Sequence, residues 1–305
     1  MQRALGRALS PLWVPAVVGV MRFGLRWRID GAAQVRREYR ELLRCDGPLI
    51  VCANHLTMVD SAAIMWALGS PGWFLAHYSA VPWNVPERQN FAASLVSRVL
   101  VYVMRCIPVT RGGDRAEVGR VLARLAHLAD NGEVVLLFPE GGRSRSGRVE
   151  SESAAYGVGR LIASLPGCRV LCVYLRGDHQ RVVSNLPVRG ERFRVRAAVL
   201  CPTSAHNGMR RALDLSRQVV EVLATLEEEH FQECGGGRYR DQCGEADEER
   251  LQGRPEAHCQ PGAVAGPAAR TAPRTTPRTT PRTAPRTAPR TTARTAPGTA
   301  PRTTQ

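Results

Sequence analysis

Residues 48–60 read Pro-Leu-Ile-Val-Cys-Ala-Asn-His-Leu-Thr-Met-Val-Asp, and they predict how the centre of the protein is built. The apolar run 48–53 has the length and composition of a buried strand. Helical periodicity follows around residues 60–68. A strand that leads directly into a helix is the repeating unit of α/β proteins. The polar segment from Asn54 to Asp60 is therefore predicted at the end of a strand in a central sheet.

The alternation of strand-like and helix-like segments continues as far as residue 201. Further strands are predicted at 73–77, 106–109, 133–138, 169–175 and 192–201. Helices are predicted at 92–105, 117–129, 153–165 and 209–231, and a long loop is predicted at 79–90. We therefore predict an α/β fold in which helices flank a mostly parallel central sheet.

His55 and Asp60 are candidates for a general base and the carboxylate that orients it. On one continuous helix, two residues five positions apart would point about 140° away from each other. A strand end, a turn and a helix start can instead bring them together. A carboxylate on one imidazole nitrogen fixes the tautomer and leaves the other nitrogen free to take a proton. The alternatives are a helix N-cap for Asp60 and a structural histidine at a strand end for His55.

A second motif follows the apolar run 134–138. It reads Pro139-Glu140-Gly141-Gly142-Arg143-Ser144-Arg145. Glycines let backbone N–H groups converge on an anion, and the arginines add charge and paired donors. Glu140 could hold the loop or bind a substrate hydroxyl. The alternative is a surface turn with solvated arginines, and the spacing is not that of a nucleotide-binding P-loop.

A third segment, Ile107-Pro108-Val109-Thr110-Arg111-Gly112-Gly113, lies between these two motifs. With all three in this order, residues 30–230 resemble the glycerolipid acyltransferase family, which includes lysophosphatidic acid acyltransferases. That family is marked by an N-H-x4-D block, an arginine-bearing block after a short strand, and an F-P-E-G-T-R-S block. The chain departs from the pattern at Gly142, where threonine is usual, at Leu56-Thr57, where glutamine-serine is common, and at 170–174, which lacks a proline.

The resemblance implies that His55, oriented by Asp60, deprotonates the free hydroxyl of a lysophospholipid. That oxygen would attack the thioester of an acyl-CoA or acyl carrier protein, with no covalent enzyme intermediate, metal or further cofactor. Backbone amides near the His55–Asp60 turn would stabilise the oxyanion. An apolar groove between the N-terminal segment and the sheet would receive the acyl chain. The residues expected to hold the acceptor phosphate are Arg111, Glu140, Gly141, Gly142, Arg143 and Ser144.

Lysophosphatidic acid is the favoured acceptor, with phosphatidic acid as product, because the second motif is suited to a phosphate. Another acceptor, such as a lyso-aminolipid, remains open. A different class of protein is also possible, namely a non-catalytic lipid- or phosphate-binding protein. Such a protein would keep the anion-binding site but would not catalyse acyl transfer.

The amino terminus predicts contact with a membrane surface. Its apolar run, Pro11 to Met21, is too short to span a bilayer and is ended by Arg22. A signal peptide is not favoured, because no small-x-small cleavage site follows. We predict that residues 1–30 form a helical segment in the interface, which would place the protein at the cytoplasmic face, peripheral or monotopic. The residues expected to contact acyl chains are Leu12, Trp13, Val14, Val17, Val18, Met21 and Phe23. A helix packed on the protein's own core is the alternative.

Composition separates an acyltransferase domain at 31–232 from a linker and repeat tail at 233–305. Arginine recurs every four residues from Arg270 to Arg294, and the lack of aromatic residues predicts disorder there. The net charge of +15 favours anionic surfaces. The tail leaves a nucleic-acid-binding protein as a weaker alternative, so no specific nucleic-acid partner is expected. Nine cysteines without a C-x-x-C spacing predict reduced thiols, not disulfides or a zinc site.

Overall fold

The structure, a computed structural model, describes residues 1–91, 94–110, 112–150 and 154–234. Six strands form one sheet in the order β1-β6-β5-β2-β4-β3. The strands are β1 (Arg28–Asp30), β2 (Leu49–Ala53), β3 (Trp83–Asn84), β4 (Val135–Leu137), β5 (Arg169–Gly177) and β6 (Arg192–Leu200). All neighbouring pairs run parallel except β5 and β6. The predicted mostly parallel α/β sheet is confirmed.

Helices cover both faces of this sheet. They are α1 (Gln2–Gly19), continued by a π-helical turn at Val20–Gly24, α2 (Ala32–Arg44), α3 (Asp60–Leu68), α4 (Pro71–Ala76), α5 (Leu95–Val103), α6 (Arg115–Asp130), α7 (Tyr156–Ala163) and α8 (Gly208–Glu233). Helices α1 to α4 pack on one face and α6 to α8 on the other. The tail predicted at 233–305 lies outside the described residues from position 235 onward.

Strand β2 lies at the centre of both cores. Val51 and Ala53 belong to the core on the α1–α4 side, whereas Ile50 and Cys52 belong to the core on the α6–α8 side. All five residues of the strand are buried. A continuous apolar run is the expected composition of a parallel strand that is covered on both faces. The prediction of a strand followed by a helix at 60–68 is therefore confirmed.

The predicted strand at 73–77 is wrong, because this segment belongs to α4. Ser70 caps the helix by accepting a hydrogen bond from Trp73 N at 3.4 Å, and Pro71 occupies the first helical position. Both residues favour a helix start over a strand. Segment 106–109 forms single β-bridges at Cys106 and Val109 instead of a strand. The loop predicted at 79–90 contains the short edge strand β3, and β1 and α2 were not predicted.

Helix α1 is present as predicted, but its predicted lipid-facing side is partly wrong. Four of the predicted lipid-facing residues are buried in the core: Trp13, Val14, Val18 and Met21. For these residues the alternative, a helix packed on the protein's own core, is correct. Leu12 and Phe23 from the same predicted set are exposed. From residue 11 to residue 21 the segment is apolar around its whole circumference, so its sequence does not indicate which side packs inward.

The segment Gln2–Gly24 is long and apolar enough to cross a membrane by length and composition. In its most apolar stretch of 18 residues, 33% is nevertheless buried inside the protein. This helix is consistent with membrane association.

The cysteines that the structure describes are all free thiols. Within the described ranges, no three His, Cys, Asp or Glu side chains are grouped so that they could hold a metal ion.

Candidate active site

The two motifs meet at the ends of neighbouring parallel strands. His55 follows β2 by two positions, and Phe138 directly follows β4. Ligand sites of open α/β sheets form at the carboxyl ends of such strands. The structure therefore brings the two polar turns together at the edge of the sheet where a site is expected.

His55 and Asp60 are paired, as their spacing predicted. The distance from His55 Nδ1 to Asp60 Oδ2 is 3.1 Å, and the two side chains are 12% and 7% exposed. The imidazole also stacks on Phe138, with ring centroids 4.0 Å apart and an interplanar angle of 18°. The carboxylate and the phenyl ring together fix the position and tautomer of the imidazole, which is what a general base requires.

Asp60 is held by the turn that precedes it. Its Oδ2 accepts hydrogen bonds from Leu56 N at 2.6 Å and Thr57 N at 2.7 Å, and its Oδ1 accepts one from Thr57 Oγ1. Asp60 is the first residue of α3, and the cap position at Val59 has no side-chain hydrogen bond. The N-cap alternative therefore does not describe this residue, because its acceptor bonds close the turn 55–60.

The amides of this turn do not support the predicted oxyanion site. His55 N donates to Glu140 Oε1, and Leu56 N and Thr57 N donate to Asp60. Met58 N donates to Asn185 O, and Val59 N donates to Thr57 Oγ1. The amides of these five residues, 55–59, each already have an acceptor and are not free to stabilise an oxyanion in this conformation.

Two hydrogen bonds join the second motif to the first. Glu140 Oε1 accepts from His55 N at 3.1 Å, and Ser144 N donates to His55 O at 2.9 Å. Burial raises the pKa of Glu140 to about 8, and the hydrogen bond from His55 N offsets this only in part. Glu140 is therefore mostly protonated at neutral pH and adds little negative charge beside His55.

Arg143 is the predicted anion-binding side chain that the structure places in the cleft. Its Nη1 donates to Ser184 O at 3.1 Å and to Asn185 Oδ1 at 3.0 Å. The cleft has a volume of about 340 Å³ and is lined by both Arg143 and His55. A guanidinium held in this way is oriented before any ligand arrives, which favours paired hydrogen bonds to an oxyanion or phosphate.

The other predicted anion-binding residues have different positions. Ser144 is buried, and its Oγ donates to Arg148 O at 2.5 Å, so it closes its own loop. Gly141 has a φ of +67°, a left-handed conformation that favours glycine, and Gly142 is the next residue of the turn. Arg111 lies outside the described residues.

Glu227 of α8 was missed by the sequence analysis. Its Oε2 accepts hydrogen bonds from Arg148 Nε at 3.0 Å and Val149 N at 3.1 Å. Its Oε1 accepts from Tyr174 OH at 3.1 Å and lies 3.7 Å from Arg176 Nη1. Glu227 therefore anchors the far end of the second motif to the body of the protein.

A signal for this residue was present in the sequence. Glu227 continues the buried helical spacing of Val220 and Leu223 on α8. A carboxylate at an apolar-face position is rarely buried without partners, so it indicates a buried polar network. The segment Ser184–Asn185 carried no comparable signal, because backbone and amide groups in a loop are placed only by the tertiary structure.

The fold and this cleft define a candidate enzyme with a histidine–carboxylate pair and a neighbouring guanidinium. Residues 31–176, a little under half of the chain, match the model of the family described as Acyltransferase. Both motifs lie within the matched segment. The match supports the glycerolipid acyltransferase family and an activity of the O-acyltransferase type. No curated protein matches the chain significantly.

Proposed function

We propose that the protein transfers a fatty acyl group from the thioester of an acyl-CoA or acyl carrier protein to the free hydroxyl of a lysophospholipid. Lysophosphatidic acid is the favoured acceptor, and phosphatidic acid is then the product. The observation that carries the proposal is the His55–Asp60 pair, which shares one cleft with Arg143. The family match of residues 31–176 supports the reaction class.

His55 is the proposed general base. Its Nδ1 is hydrogen-bonded to Asp60, so its Nε2 is left to accept the proton of the acceptor hydroxyl. The hydroxyl oxygen then attacks the thioester carbonyl carbon, and a new C–O bond forms. The C–S bond breaks, and the proton on His55 passes to the departing sulfur. Asp60 stabilises the imidazolium between these two transfers.

Arg143 is the proposed ligand of the acceptor phosphate. It lines the cleft together with His55, and Ser184 and Asn185 restrict its guanidinium. The phosphate can add charge-assisted hydrogen bonds to this preoriented group. The raised pKa of Glu140 lessens the negative charge near the proposed phosphate site at neutral pH. Arg111 keeps the same role as a proposal from the family resemblance, and Gly141, Gly142 and Ser144 shape the loop.

The first experiment measures thiol release from an acyl-CoA by the purified protein, with and without lysophosphatidic acid. His55→Ala is expected to lower the acceptor-dependent rate by about 10²- to 10⁴-fold, since that is the usual contribution of a general base. The matched control is His127→Ala, which removes an exposed histidine on α6 and should keep the full rate. Acceptor-dependent release that survives His55→Ala would contradict the proposal.

The acceptor class is tested with Arg143→Ala and two acceptors. If the acceptor is lysophosphatidic acid, the variant should raise its KM and leave a phosphate-free lyso-aminolipid little affected. Equal activity of the wild type on both acceptors, with no differential effect of Arg143→Ala, would favour the aminolipid alternative. Lipid binding without thiol release, from either acyl-CoA or acyl carrier protein, would favour a binding protein.

A further inference from the structure

Helix α5 exposes a continuous apolar face. Leu95, Val96, Val99 and Leu100 are 74%, 76%, 54% and 53% exposed, although the helix has only nine residues. Their spacing places them on one side of the helix. Single exposed apolar residues are ordinary on protein surfaces, but a contiguous apolar patch marks a site of interaction.

Helix α1 and its π-helical turn expose a second apolar face, opposite the side that packs in the core. Leu5, Leu12, Val20 and Phe23 are 46%, 71%, 60% and 75% exposed. The buried side of the same helix contains Trp13, Val14 and Val18. The helix is thus apolar on two sides, and the protein's own core covers one of them.

The two helices lie against each other. Gln2 Nε2 donates to Tyr102 O at 2.8 Å and to Cys106 O at 2.9 Å. An apolar groove of about 580 Å³ lies between them, with Leu5 on one wall and Leu95 and Val99 on the other. We call the exposed residues Leu5, Leu12, Leu95, Val96, Val99 and Leu100 the α1–α5 face.

The charges around this face indicate what covers it. Helix α1, its π-helical turn and α5 contain Arg3, Arg7, Arg22 and Arg98, and none of these three segments contains an aspartate or glutamate. Arg7, Arg22 and Arg98 are exposed. Apolar side chains flanked by arginines are complementary to an anionic phospholipid surface, which offers acyl chains beneath negative head groups.

We propose that the α1–α5 face docks the protein on an anionic phospholipid bilayer, with α5 as the second membrane-contacting element beside α1. The groove is adjacent to the His55 cleft, because Arg88 lines the groove and its neighbours Glu87 and Gln89 line the cleft. A lipid bound at this face would therefore lie beside the cleft that contains His55. This last step rests on the proposed function, whereas docking itself does not.

The test is sedimentation of the full chain with vesicles of phosphatidylglycerol and phosphatidylcholine, without acyl donor or acceptor. The variants are Val96→Asp on α5 and Leu12→Asp on α1. Each should lower the ratio of bound to free protein by about tenfold to a hundredfold, because a charge replaces an apolar side chain that would be buried in the bilayer on docking. The matched control Met209→Asp changes a 64% exposed apolar residue on α8 and should bind like the wild type.

The arginine-rich tail is kept in every variant, and the binding is repeated at about 0.5 M salt, where exposed charges are strongly screened. Binding that persists in salt and is lost in both variants supports the α1–α5 face. If binding is lost at high salt and is equal in all variants, the protein attaches to the vesicles through charge alone. That result would overturn the proposal. A dimer in solution that Val96→Asp dissociates, without an effect on vesicle binding, would show that a second copy of the chain covers the face.

Thiol release in detergent is measured on the same proteins. Loss of vesicle binding in Val96→Asp with full release in detergent supports the docking face. Wild-type protein that binds vesicles and releases no thiol would refute the proposed function and leave the docking surface standing.

Discussion

The two turns of the candidate active site are held in opposite ways. The turn 55–60 is closed by bonds within six residues, because Asp60 accepts hydrogen bonds from Leu56 and Thr57. The loop that follows β4 is closed by distant partners. Val149 and Arg148 bind Glu227, which is 78 and 79 positions further along the chain.

This difference suggests that the first turn carries out the proton transfer, whereas the second turn positions the acceptor. The first turn contains the base, its orienting carboxylate and most of the bonds that fix them. The second turn carries Arg143, whose position depends on the hydrogen bonds that it donates to Ser184 and Asn185 and on the anchor at Glu227. Substitutions in the first turn should therefore lower the rate of the reaction, and substitutions at the remote anchors should mainly weaken acceptor binding.

The largest effect is expected from Asp60→Ala, which removes the acceptor that closes the first turn. Leu56 N, Thr57 N and Thr57 Oγ1 lose their buried partner, at about 1–3 kcal/mol for each unsatisfied group. Thermal unfolding should show this loss, and thiol release should fall by about 10²- to 10⁴-fold.

Asp60→Asn serves as the control for this substitution, since it keeps an acceptor oxygen and removes the charge. We expect it to lose less stability than Asp60→Ala, because the amides of Leu56 and Thr57 keep an acceptor, and to lose most of the rate. A stable Asp60→Ala variant would show that the turn is closed by other contacts, and the comparison between the two turns would fail.

The buried carboxyl group of Glu140, which joins the two turns, should make stability depend on pH. The pKa of Glu140 is raised by burial from 4.5 to about 8, so the folded protein binds this proton more tightly than the unfolded chain does. The stabilisation is fully present below pH 4.5 and is lost as pH rises through about 8. The loss amounts to a few kcal/mol, at roughly 1.4 kcal/mol for each pKa unit.

Glu140→Gln should remove this pH dependence, because glutamine accepts the His55 N–H without titrating. Denaturant unfolding between about pH 5 and pH 9 measures the difference between the two proteins. The exposed Glu221→Gln on α8 should retain the wild-type slope. Parallel curves for the wild type and Glu140→Gln would mean that this carboxyl group is ionised throughout.

The smallest effect is expected from Glu227→Gln, which keeps one acceptor oxygen, replaces the other with an amide NH2 group and removes the charge beside Arg148 and Arg176. We expect a stability loss of about 2 kcal/mol, typical of a hydrogen bond to a charged group. The KM for the acceptor should rise about threefold to tenfold with little change in kcat, as for a lost binding contribution.

Glu228→Gln on the exposed side of α8 is the matched control and should change neither parameter. A fall in kcat with unchanged KM in Glu227→Gln would place this anchor in the chemistry and remove the distinction between the two turns.

The sequence was sufficient for those parts of the fold that local pattern determines. Strand β2, helix α3 and the pairing of His55 with Asp60 followed from an apolar run and a spacing of five residues. The strand predicted at 73–77 failed because the cap at Ser70 outweighed the β-propensity of the aromatic residues that follow.

The remaining errors concern contacts between distant parts of the chain. The stretch 11–21 of the N-terminal helical segment is apolar on every side, so its sequence does not indicate which side packs against the core. Two amides of the 55–60 turn are paired with acceptors from distant segments, Glu140 and Asn185, which the sequence could not assign. Distances between such segments are set only when the whole domain folds.

The position of Glu227 has a consequence for how this protein can be divided. A fragment that ends at residue 176 would contain both motifs and the entire family match. It would lack β6, the neighbour that joins β1 to β5, and it would lack the carboxylate that anchors Arg148. The shortest piece that can be transplanted into another protein as a working catalytic module must therefore extend through α8, well past the last recognisable motif.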